Sequence, residues 1–463
     1  MSDNTPQVDE HYDLIIIGTG SGNSIPSPDF DDKKIAIVEK GRFGGTCLNV
    51  GCIPTKMYVY AADVALAARE AGRLGLDAQV NSVDWDSIVE RVFHNRIDQI
   101  ADGGEAYRRG DETPNITVYD QHARFIAPKT LQIGDSVISG EEIVIATGSR
   151  PQVPEVFSNS GVRFYTNEDV MRMDTQPKKL IVVGGGFIAM EFAHVFDGLG
   201  TEVTIVHRRE QLLRFLDKDV SDRFTELAKK RFPFVQGSTE SVEQTESGGV
   251  RLHLDSGETV EADAVLVATG RIPNGDQMDL DKAGVEMRED GRVKVDEYGH
   301  TTAEGVWALG DVSSPYMLKH VANAETRAVQ HNLLHPEDLR SMPHDNVPSA
   351  IFTHPQIATI GLSEQQALDA GFDITVKIQN YGDVAYGWAM EDTTGFAKLV
   401  ADKKTGKLLG AHIIGPDAAT VIHPLITAMS YSLDMRVFAQ QQYWIHPALP
   451  ELIENAVLGL EWD

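Results

Sequence analysis

The sequence predicts an α/β fold with two Rossmann-like units, the second inserted in the first, and a C-terminal α+β domain. Two glycine-rich turns that each follow a short apolar strand predict the two units, and two later strands that each run into Ala-Thr-Gly support a duplication. Beyond about residue 342 this pattern ends. We expect the first unit to comprise residues 1–150 and 272–342, the inserted unit 151–271 and the C-terminal domain 343–463.

Composition restricts the partners and the compartment. The 463 residues have room for about three domains, and 69 acidic against 41 basic side chains give a net charge of -28. This charge would repel nucleic acid and anionic membranes, and no apolar run approaches the length of a membrane span. The polar start, MSDNTPQVDEHYD, lacks the basic and apolar regions of a secretory signal. We therefore expect a cytoplasmic protein without nucleic-acid or membrane partners.

The first glycine-rich turn lies in YDLIIIGTGSGNS. Here an apolar strand is followed by Gly18, Gly20 and Gly22. The next strand, KKIAIVEK, ends with Glu39 about 20 residues further on. This spacing is typical of a dinucleotide site, in which the turn approaches the pyrophosphate and the acid binds the ribose hydroxyls. Asn23 occupies the third glycine position and SIPSPDFDD is a poor helix, so this copy alone could also be an ordinary turn between a strand and a helix.

The second turn, in KKLIVVGGGFIAMEFAHVFDGLGTEVTIVHRRE, is followed by a better helix. Gly184, Gly186 and Ala189 form a G-x-G-x-x-A pattern after the strand. Aligning the ends of the second strands places His207 where Glu39 stands in the first copy. Two such patterns in one chain indicate two dinucleotide sites.

The two sites differ in charge. Glu39 suits a free ribose 2′-hydroxyl, whereas Arg208 and Arg214, which follow His207, suit a 2′-phosphate. We therefore expect FAD in the first site and NADPH in the second. The arginines could instead belong to a solvated surface patch.

Later strands support the insertion. EEIVIATGSRP and DAVLVATGRIP both end in Ala-Thr-Gly, where glycine permits close packing. GVWALGDVSS then places Gly310 and Asp311 at a carboxyl strand end, where ligands bind in open α/β sheets. Because strands of the first unit lie on both sides of the second, the second unit is inserted. The tail runs from AIFTHPQIATIGLS through two strand-like runs to a terminal helix, and it is a candidate subunit interface.

The chain has only two cysteines, Cys47 and Cys52, in GGTCLNVGCIPTK. In a reducing cytosol such a pair is more often catalytic or metal-binding than structural. Zinc takes three or four protein ligands, and no His or third Cys lies nearby, so we expect no metal. A structural disulfide would close too short a loop to stabilise the chain much. Two inert buried thiols remain the alternative.

An ordered set of motifs carries a family resemblance. GTGSGN, GGTCLNVGCIPTK, GGGFIAMEF, ATGRIPN, LGDV and HPALPE together resemble the flavoprotein disulfide reductases, the family of glutathione reductase and lipoamide dehydrogenase. The resemblance covers nearly the whole chain. It implies a homodimer that reduces a disulfide with FAD and NADPH or NADH, and a C-terminal dimerisation domain.

The resemblance also assigns catalytic roles. Cys52 would face the flavin, and Cys47 would attack the substrate disulfide. His446, supported by Glu451 five residues on, would exchange protons at the partner subunit's cysteines.

Cofactor contacts are implied by the same motifs. Lys56 and Glu191 match residues that pair near the flavin N5 in this family. The residues expected to contact the cofactors are Gly18, Gly20, Gly22, Glu39, Thr46, Lys56, Thr147, Gly148, Gly184, Gly186, Ile188, Glu191, Arg208, Arg214, Gly270, Gly310 and Asp311.

The spacing of Cys47 and Cys52 requires a bend. Five residues of a regular helix rise about 7.5 Å, beyond the Cα separation of roughly 7 Å that a disulfide allows. Gly51 supplies flexibility, and Pro54 marks the start of a regular helix, PTKMYVYAADVALAAREAG. The dipole of that helix would stabilise thiolates near its start.

The absence of further cysteines, and of an acid at the end of the second strand of the inserted unit, narrows the class of substrate. Family members that reduce thioredoxin or mercuric ion need an additional thiol or selenol pair, and this chain has no further cysteine. Lipoamide dehydrogenase uses NAD and normally carries an acid where His207 and Arg208 lie, so its activity fits this chain less well. Reduction of a small disulfide such as glutathione disulfide fits better. YGDVAYGWAMEDT and QYWIHPALPE are similar to one branch that reduces such a disulfide, although Tyr386 and Trp388 could be core aromatics. A flavoprotein that only senses nucleotides would have no use for the cysteine pair.

Overall fold

The computed structural model of the chain describes residues 7–462, so part of the polar start lies outside the described residues. The first unit opens with a strand in which Ile15 and Ile16 are fully buried, as expected for a strand covered on both faces. A π-helical segment, Glu90–Ile97, joins two of its helices. Its elements before the insertion are β1 (Glu10–Ile17), β2 (Ile35–Val38), α1 (Gly45–Asn49), α2 (Cys52–Glu70), α3 (Trp85–Val89), α4 (Asp98–Arg109), β3 (Ile116–Tyr119), β4 (Ala123–Ala127), β5 (Thr130–Ile133), β6 (Ser136–Ile145) and β7 (Ser149–Pro151).

The inserted unit repeats the order strand, glycine turn, helix and strand. Its elements are α5 (Glu155–Ser158), β8 (Lys179–Val183), α6 (Phe187–Gly198), β9 (Glu202–His207), α7 (Lys218–Arg231), β10 (Phe234–Gln236), β11 (Thr239–Gln244), β12 (Val250–Leu254), β13 (Thr259–Ala262) and β14 (Ala264–Val267). Strands β10, β9, β8 and β14 form a parallel sheet in that order, and β11, β12 and β13 form an antiparallel sheet.

The chain then returns to the first unit. Strand β15 (Arg271–Pro273) pairs with β7, β16 (Val306–Ala308) pairs in parallel with β6, and helix α8 (Lys319–Leu334) comes next. The first sheet runs β3-β2-β1-β6-β5-β4, with β16 also beside β6. Strands from both sides of the second unit share this sheet, so the predicted insertion is confirmed. The residue numbers given for the domain boundaries stay a prediction.

The tail folds around a five-stranded antiparallel sheet in the order β17-β18-β21-β20-β19. Its elements are β17 (Ser349–Ile351), β18 (Ile357–Gly361), α9 (Glu364–Asp369), β19 (Ile374–Asn380), α10 (Ala385–Met390), β20 (Phe396–Asp402), β21 (Leu408–Ile414), α11 (Ala418–Val421), α12 (His423–Ser430), α13 (Met435–Phe438) and α14 (Glu451–Leu458). Three strands come after AIFTHPQIATIGLS, so the expectation of two was wrong. The strand missed, β19, lies at the sheet edge and lacks a continuous apolar run. No helix within residues 7–462 is long and apolar enough to span a bilayer.

One contact, made twice, explains the repeated motifs. Gly18 has φ +106°, and a Cβ there would lie 2.3 Å from the carbonyl oxygen of Ala146 in the first Ala-Thr-Gly turn. Gly184 has φ +142°, and a Cβ there would lie 2.3 Å from the carbonyl oxygen of Ala268 in the second. Each glycine turn therefore packs on the Ala-Thr-Gly turn beside it, and only glycine fits.

The two glycine turns lead into different secondary structure. Helix α6 begins after the second turn, whereas two short 3-10 turns, Gly22–Ser24 and Pro28–Phe30, come after the first, as SIPSPDFDD predicted. Prolines in this stretch prevent a regular helix. Arg108 of α4 and Gln330 of α8 donate hydrogen bonds to backbone carbonyls of the segment, so other helices hold it in place.

Candidate active site

One large cavity, of about 1370 Å³, lies where the first glycine turn meets α1, α2 and the start of α8. The predicted site residues that line it are Gly18, Gly20, Glu39, Thr46, Cys47, Cys52, Lys56, Thr147, Gly148, Ile188, Glu191, Gly310 and Asp311. Those that do not line it are Gly22, Gly184, Gly186, Arg208, Arg214, Gly270, His446 and Glu451. Motifs more than 250 positions apart in the sequence thus meet at one cavity.

Gly22 lies behind the turn rather than on the cavity wall. A Cβ at Gly22 would lie 2.8 Å from the Cβ of Ala146 and 3.1 Å from Cγ2 of Ile16. The expectation that Gly22 contacts the cofactor stays a prediction. Its lack of a side chain allows the turn to pack on the sheet.

The cavity walls fit the FAD expected here. The hydroxyl oxygen of Thr147 is buried and has no hydrogen-bond partner among the described residues, which suits a polar ligand group. A Cβ on Gly45 would lie only 2.5 Å from the Cα of Gly20, so bare backbone lines this part of the wall. Such a surface lets a pyrophosphate approach main-chain amides.

Glu39, the residue that follows β2, supports the glycine turn through hydrogen bonds. Its Oε2 accepts hydrogen bonds from the amide (3.0 Å) and hydroxyl (2.6 Å) of Thr19, and its Oε1 accepts one from the Gly41 amide (2.9 Å). A carboxylate has about four acceptor positions, so it can still accept ribose hydroxyls.

Cys47 and Cys52 lie on two helices with a bend between them. Cys47 is in α1, Cys52 is the first residue of α2, and both are free thiols. The prediction that the regular helix begins at Pro54 was wrong. The first turn of a helix leaves its amides unbonded, so α2 accommodates Pro54 without losing a hydrogen bond.

The two thiols shift each other's pKa in opposite directions. The hydrogen bond from Cys52 is the main cause that lowers the pKa of Cys47 to about 7, and the Lys319 ammonium adds to the effect. In turn the hydrogen bond to Cys47, together with burial, raises the pKa of Cys52. Near neutral pH the reduced pair therefore presents a thiolate at Cys47, which is the reactive form in thiol–disulfide exchange.

Lys56 and Glu191 face the same cavity without forming the expected pair. The Lys56 Nζ lies 4.1 Å from the centroid of the Phe352 ring, and Glu191 Oε1 accepts a hydrogen bond from the Phe352 amide at 2.8 Å. These two described residues form no ion pair within 4.0 Å. Burial raises the pKa of Glu191 to about 7, although the Phe352 amide and the Lys56 charge oppose this. Both side chains thus contact Phe352, a residue of the C-terminal domain.

The second glycine turn lies at the start of α6. No side chain caps the helix at Gly186, so its first amides remain available to an anion. The His207 ring lies against Gly185, where a Cβ would be 2.7 Å from Nε2. Burial, with the charges of Arg208 and Arg214, lowers the pKa of His207. Both arginines are exposed, and neither forms an ion pair within 4.0 Å with a described residue.

His446 and Glu451 form a hydrogen-bonded pair at the start of α14. Nδ1 of His446 lies 2.6 Å from Oε1 of Glu451, whose Oε2 accepts a hydrogen bond from the Ala448 amide at 3.2 Å. The His446 side chain is 70% exposed and lies outside the cavity of its own chain. Tyr443 and Ile445, close by in sequence, are also exposed. An apolar surface of this kind is typical of a protein interface.

Three charged residues around the cavity were missed in the sequence. Arg271 donates hydrogen bonds to the hydroxyl and carbonyl oxygens of Ser149. Glu325 of α8 is fully buried and accepts a hydrogen bond from the Gly310 amide at 2.7 Å. Lys319, the first residue of α8, lines the cavity. Only Arg271 had a sequence signal, because it directly follows Ala-Thr-Gly.

Two family models match this chain, one before the C-terminal domain and one within it. The family model described as pyridine nucleotide-disulphide oxidoreductase matches residues 12–328, and that of the family's dimerisation domain matches residues 347–457. Mycothione reductase from Mycobacterium tuberculosis (strain ATCC 25618 / H37Rv) is 54% identical over 462 residues, which cover 97% of this chain and 100% of the relative. Glutathione reductase from Burkholderia cepacia is 32% identical over 443 residues, 95% of this chain and 97% of the relative.

A solved structure supports the same fold. The HOCl-induced flavoprotein disulfide reductase RclA from Escherichia coli superposes with a TM-score of 0.85 at 27% identity, over 97% of this chain and 100% of that chain. The dimerisation-domain match supports a homodimer. The family model covers well over half of the chain, and a full-length relative exceeds half identity. The chain therefore belongs to the pyridine nucleotide-disulphide oxidoreductase family, and it is an FAD- and NAD(P)H-dependent oxidoreductase.

Proposed function

We propose that this enzyme reduces mycothione, a low-molecular-weight disulfide, to mycothiol with NADPH. The observation that carries the proposal is the thiol pair at the bend between α1 and α2, in which Cys47 has a pKa of about 7 and lines the cofactor cavity with Cys52. The choice of disulfide is supported by 54% identity to a mycothione reductase, against 32% to a glutathione reductase.

The disulfide chemistry needs a nucleophile and a resolving thiol. FAD, held by the glycine turn, Glu39 and Thr147, would supply hydride-accepting and two-electron chemistry at the cavity that Cys47 and Cys52 line, and with it the electron pair that reduces the bond between these cysteines. The Cys47 thiolate attacks one sulfur of the substrate disulfide, which forms a mixed disulfide and releases the first thiol. Cys52 then attacks the Cys47 sulfur, releases the second thiol and re-forms the enzyme disulfide. Each turnover consumes one NADPH and one proton and yields two thiols.

The proton transfers are assigned to His446 of the partner subunit. The Glu451 carboxylate holds Nδ1 of the imidazole at 2.6 Å, which orients the ring and leaves Nε2 for the thiols. The imidazole gives a proton to each leaving thiolate and takes one from the cysteine pair. His446 lies outside the cavity of its own chain, so each active site would combine residues of both subunits.

Nucleotide choice is assigned to Arg208 and Arg214. Neither arginine is engaged by a described carboxylate within 4.0 Å, so both are available to a 2′-phosphate. Gly184 and Gly186 would place the pyrophosphate of NADPH at the start of α6. The proposal places the enzyme in the cytoplasm, where NADPH keeps small thiols reduced.

Anaerobic turnover with a panel of disulfides tests the substrate. With NADPH, we expect kcat/KM for mycothione to exceed that for glutathione disulfide and lipoamide by about 100-fold or more, because a site built for polar groups rejects substrates that lack them. Higher kcat/KM with either of the other disulfides would contradict the proposal. A flavin that NADPH bleaches but that no disulfide reoxidises would instead indicate a nucleotide-sensing protein.

A further inference from the structure

The first glycine turn lacks the positive charge that such turns normally offer a pyrophosphate. A helix that starts at the turn carries roughly half a positive charge at its first residues. Here the turn is followed by Gly22–Ser24 and Pro28–Phe30, two 3-10 segments of three residues each. The FAD pyrophosphate would therefore lack its usual helix dipole.

A lysine from another helix lies against this turn. The Nζ of Lys319 donates a hydrogen bond to the hydroxyl of Ser21 at 2.8 Å, and this hydroxyl donates to Oδ1 of Asn323 at 3.2 Å. Ser21 stands between the glycines of the turn and is 9% exposed, while Asn323 lies one turn further along α8. Both Lys319 and Asn323 of α8 thus bind Ser21, and the ammonium of Lys319 lies at the glycine turn.

Among residues 7–462 no carboxylate opposes the ammonium of Lys319. The residue is half-buried on the cavity wall, and it forms no ion pair within 4.0 Å with a described acid. A partly desolvated cation without an anion is costly unless a ligand supplies one. The glycine turn that it touches is the surface on which the FAD pyrophosphate is expected to lie.

We propose that Lys319 is a cofactor-binding residue that contacts the FAD pyrophosphate and replaces the missing helix dipole. A lysine acts on phosphate as a point charge, so it can serve from α8 without the geometry of a helix start. The Cys47 thiolate is the competing anion, because the Lys319 charge also contributes to its low pKa. The direct hydrogen bond, however, joins the lysine to the turn.

The rate of FAD release from the diluted holoenzyme tests this proposal. Free flavin is followed by fluorescence at low and high salt for the wild type, Lys319→Met and Lys319→Arg. We expect Lys319→Met to release FAD about 10- to 100-fold faster at low salt, since it loses a charge-assisted hydrogen bond. The difference should shrink at high salt, and Lys319→Arg should stay near the wild type. Lys33→Met, at an exposed lysine of the same unit, serves as the control and should not change the rate.

Two results would overturn the proposal. Release from Lys319→Met at the wild-type rate, with an upward shift in the pH at which Cys47 is alkylated, would assign the lysine to the thiolate instead. Faster release that is independent of salt and not rescued by Lys319→Arg would indicate lost packing. Ser21→Ala keeps the charge and removes its anchor, so a smaller acceleration is expected. This variant decides the question if Lys319→Met fails to fold.

Discussion

The backbone of Gly51 lies directly against the carbonyl oxygen of Thr46. A Cβ added to Gly51 would sit 2.9 Å from that oxygen and 3.3 Å from the Cα of Cys47. Gly51 has φ −135°, so its need for glycine is one of space rather than of a left-handed backbone. This close approach brings α1 and α2 together, and with them Cys47 and Cys52.

Replacing Gly51 with Ala should separate the two thiols. The added methyl must displace backbone, so we expect a loss of about 1–3 kcal/mol in unfolding free energy, with a sharp loss of disulfide turnover. Gly103→Ala is the matched control, because Gly103 lies in α4 and a Cβ there meets nothing within 4 Å. That change should stabilise the protein by about 0.5–1 kcal/mol. Equal behaviour of the two variants would show that the contact at Gly51 is unimportant.

Replacing Cys47 with Ser should expose the second thiol spectroscopically. The change removes the main cause that raises the pKa of Cys52, which lies at the start of α2 where the dipole favours a thiolate. We expect a new long-wavelength absorption from this thiolate beside oxidised flavin, no disulfide turnover, and continued reduction of an artificial electron acceptor by NADPH. Disulfide turnover by this variant would disprove the role given to Cys47.

The reactivity of Cys47 should depend on pH through its neighbour. In the reduced enzyme, the alkylation rate of Cys47 should rise with pH around a midpoint of about 7, because only the thiolate reacts. Cys52→Ala removes the hydrogen bond that lowers this pKa, so the midpoint should move up towards the ordinary value of 9.0. Mass spectrometry of the labelled peptide measures it. An unchanged midpoint would mean that another group stabilises the thiolate.

Replacing Arg208 and Arg214 together with Ala should weaken NADPH binding while NADH binding barely changes. Each arginine contributes about 1.5–3 kcal/mol if it holds the 2′-phosphate by a charge-assisted hydrogen bond. The KM values for the two nucleotides measure the effect. Arg96→Ala, at an exposed residue of the first unit, is the control. An equal rise in KM for both nucleotides would place the arginines outside the phosphate site.

Much of the architecture could be predicted because it depends on local patterns. The glycine turns, the Ala-Thr-Gly strand ends and the order of the units were visible in short stretches, and the structure pairs each glycine turn with its Ala-Thr-Gly turn. The hydrogen bond between His446 and Glu451 spans only five residues and is also a local feature. The catalytic and binding roles of the predicted site residues stay predictions.

The features that sequence reasoning missed depend on contacts between distant segments. Lys56 and Glu191 each contact Phe352, which comes from another domain. Lys319 reaches the first glycine turn from almost 300 positions away, and no spacing rule connects them. The start of α2 was misplaced because Pro54 is tolerated in a first helical turn, so its position does not define that start.

The mixing of two inactive variants tests the shared active site most directly. Cys47→Ser and His446→Ala proteins, each almost inactive, are combined in equal amounts, and subunit exchange is followed by native mass spectrometry. Under random pairing half of the dimers are mixed, and each has one intact site of two, so activity should return to about a quarter of the wild type. A mixture of Cys47→Ser and Cys52→Ser, whose defects lie in the same cysteine pair, should stay inactive. If exchange is complete and the first mixture also stays inactive, His446 does not act on the partner subunit's cysteines and the account is wrong.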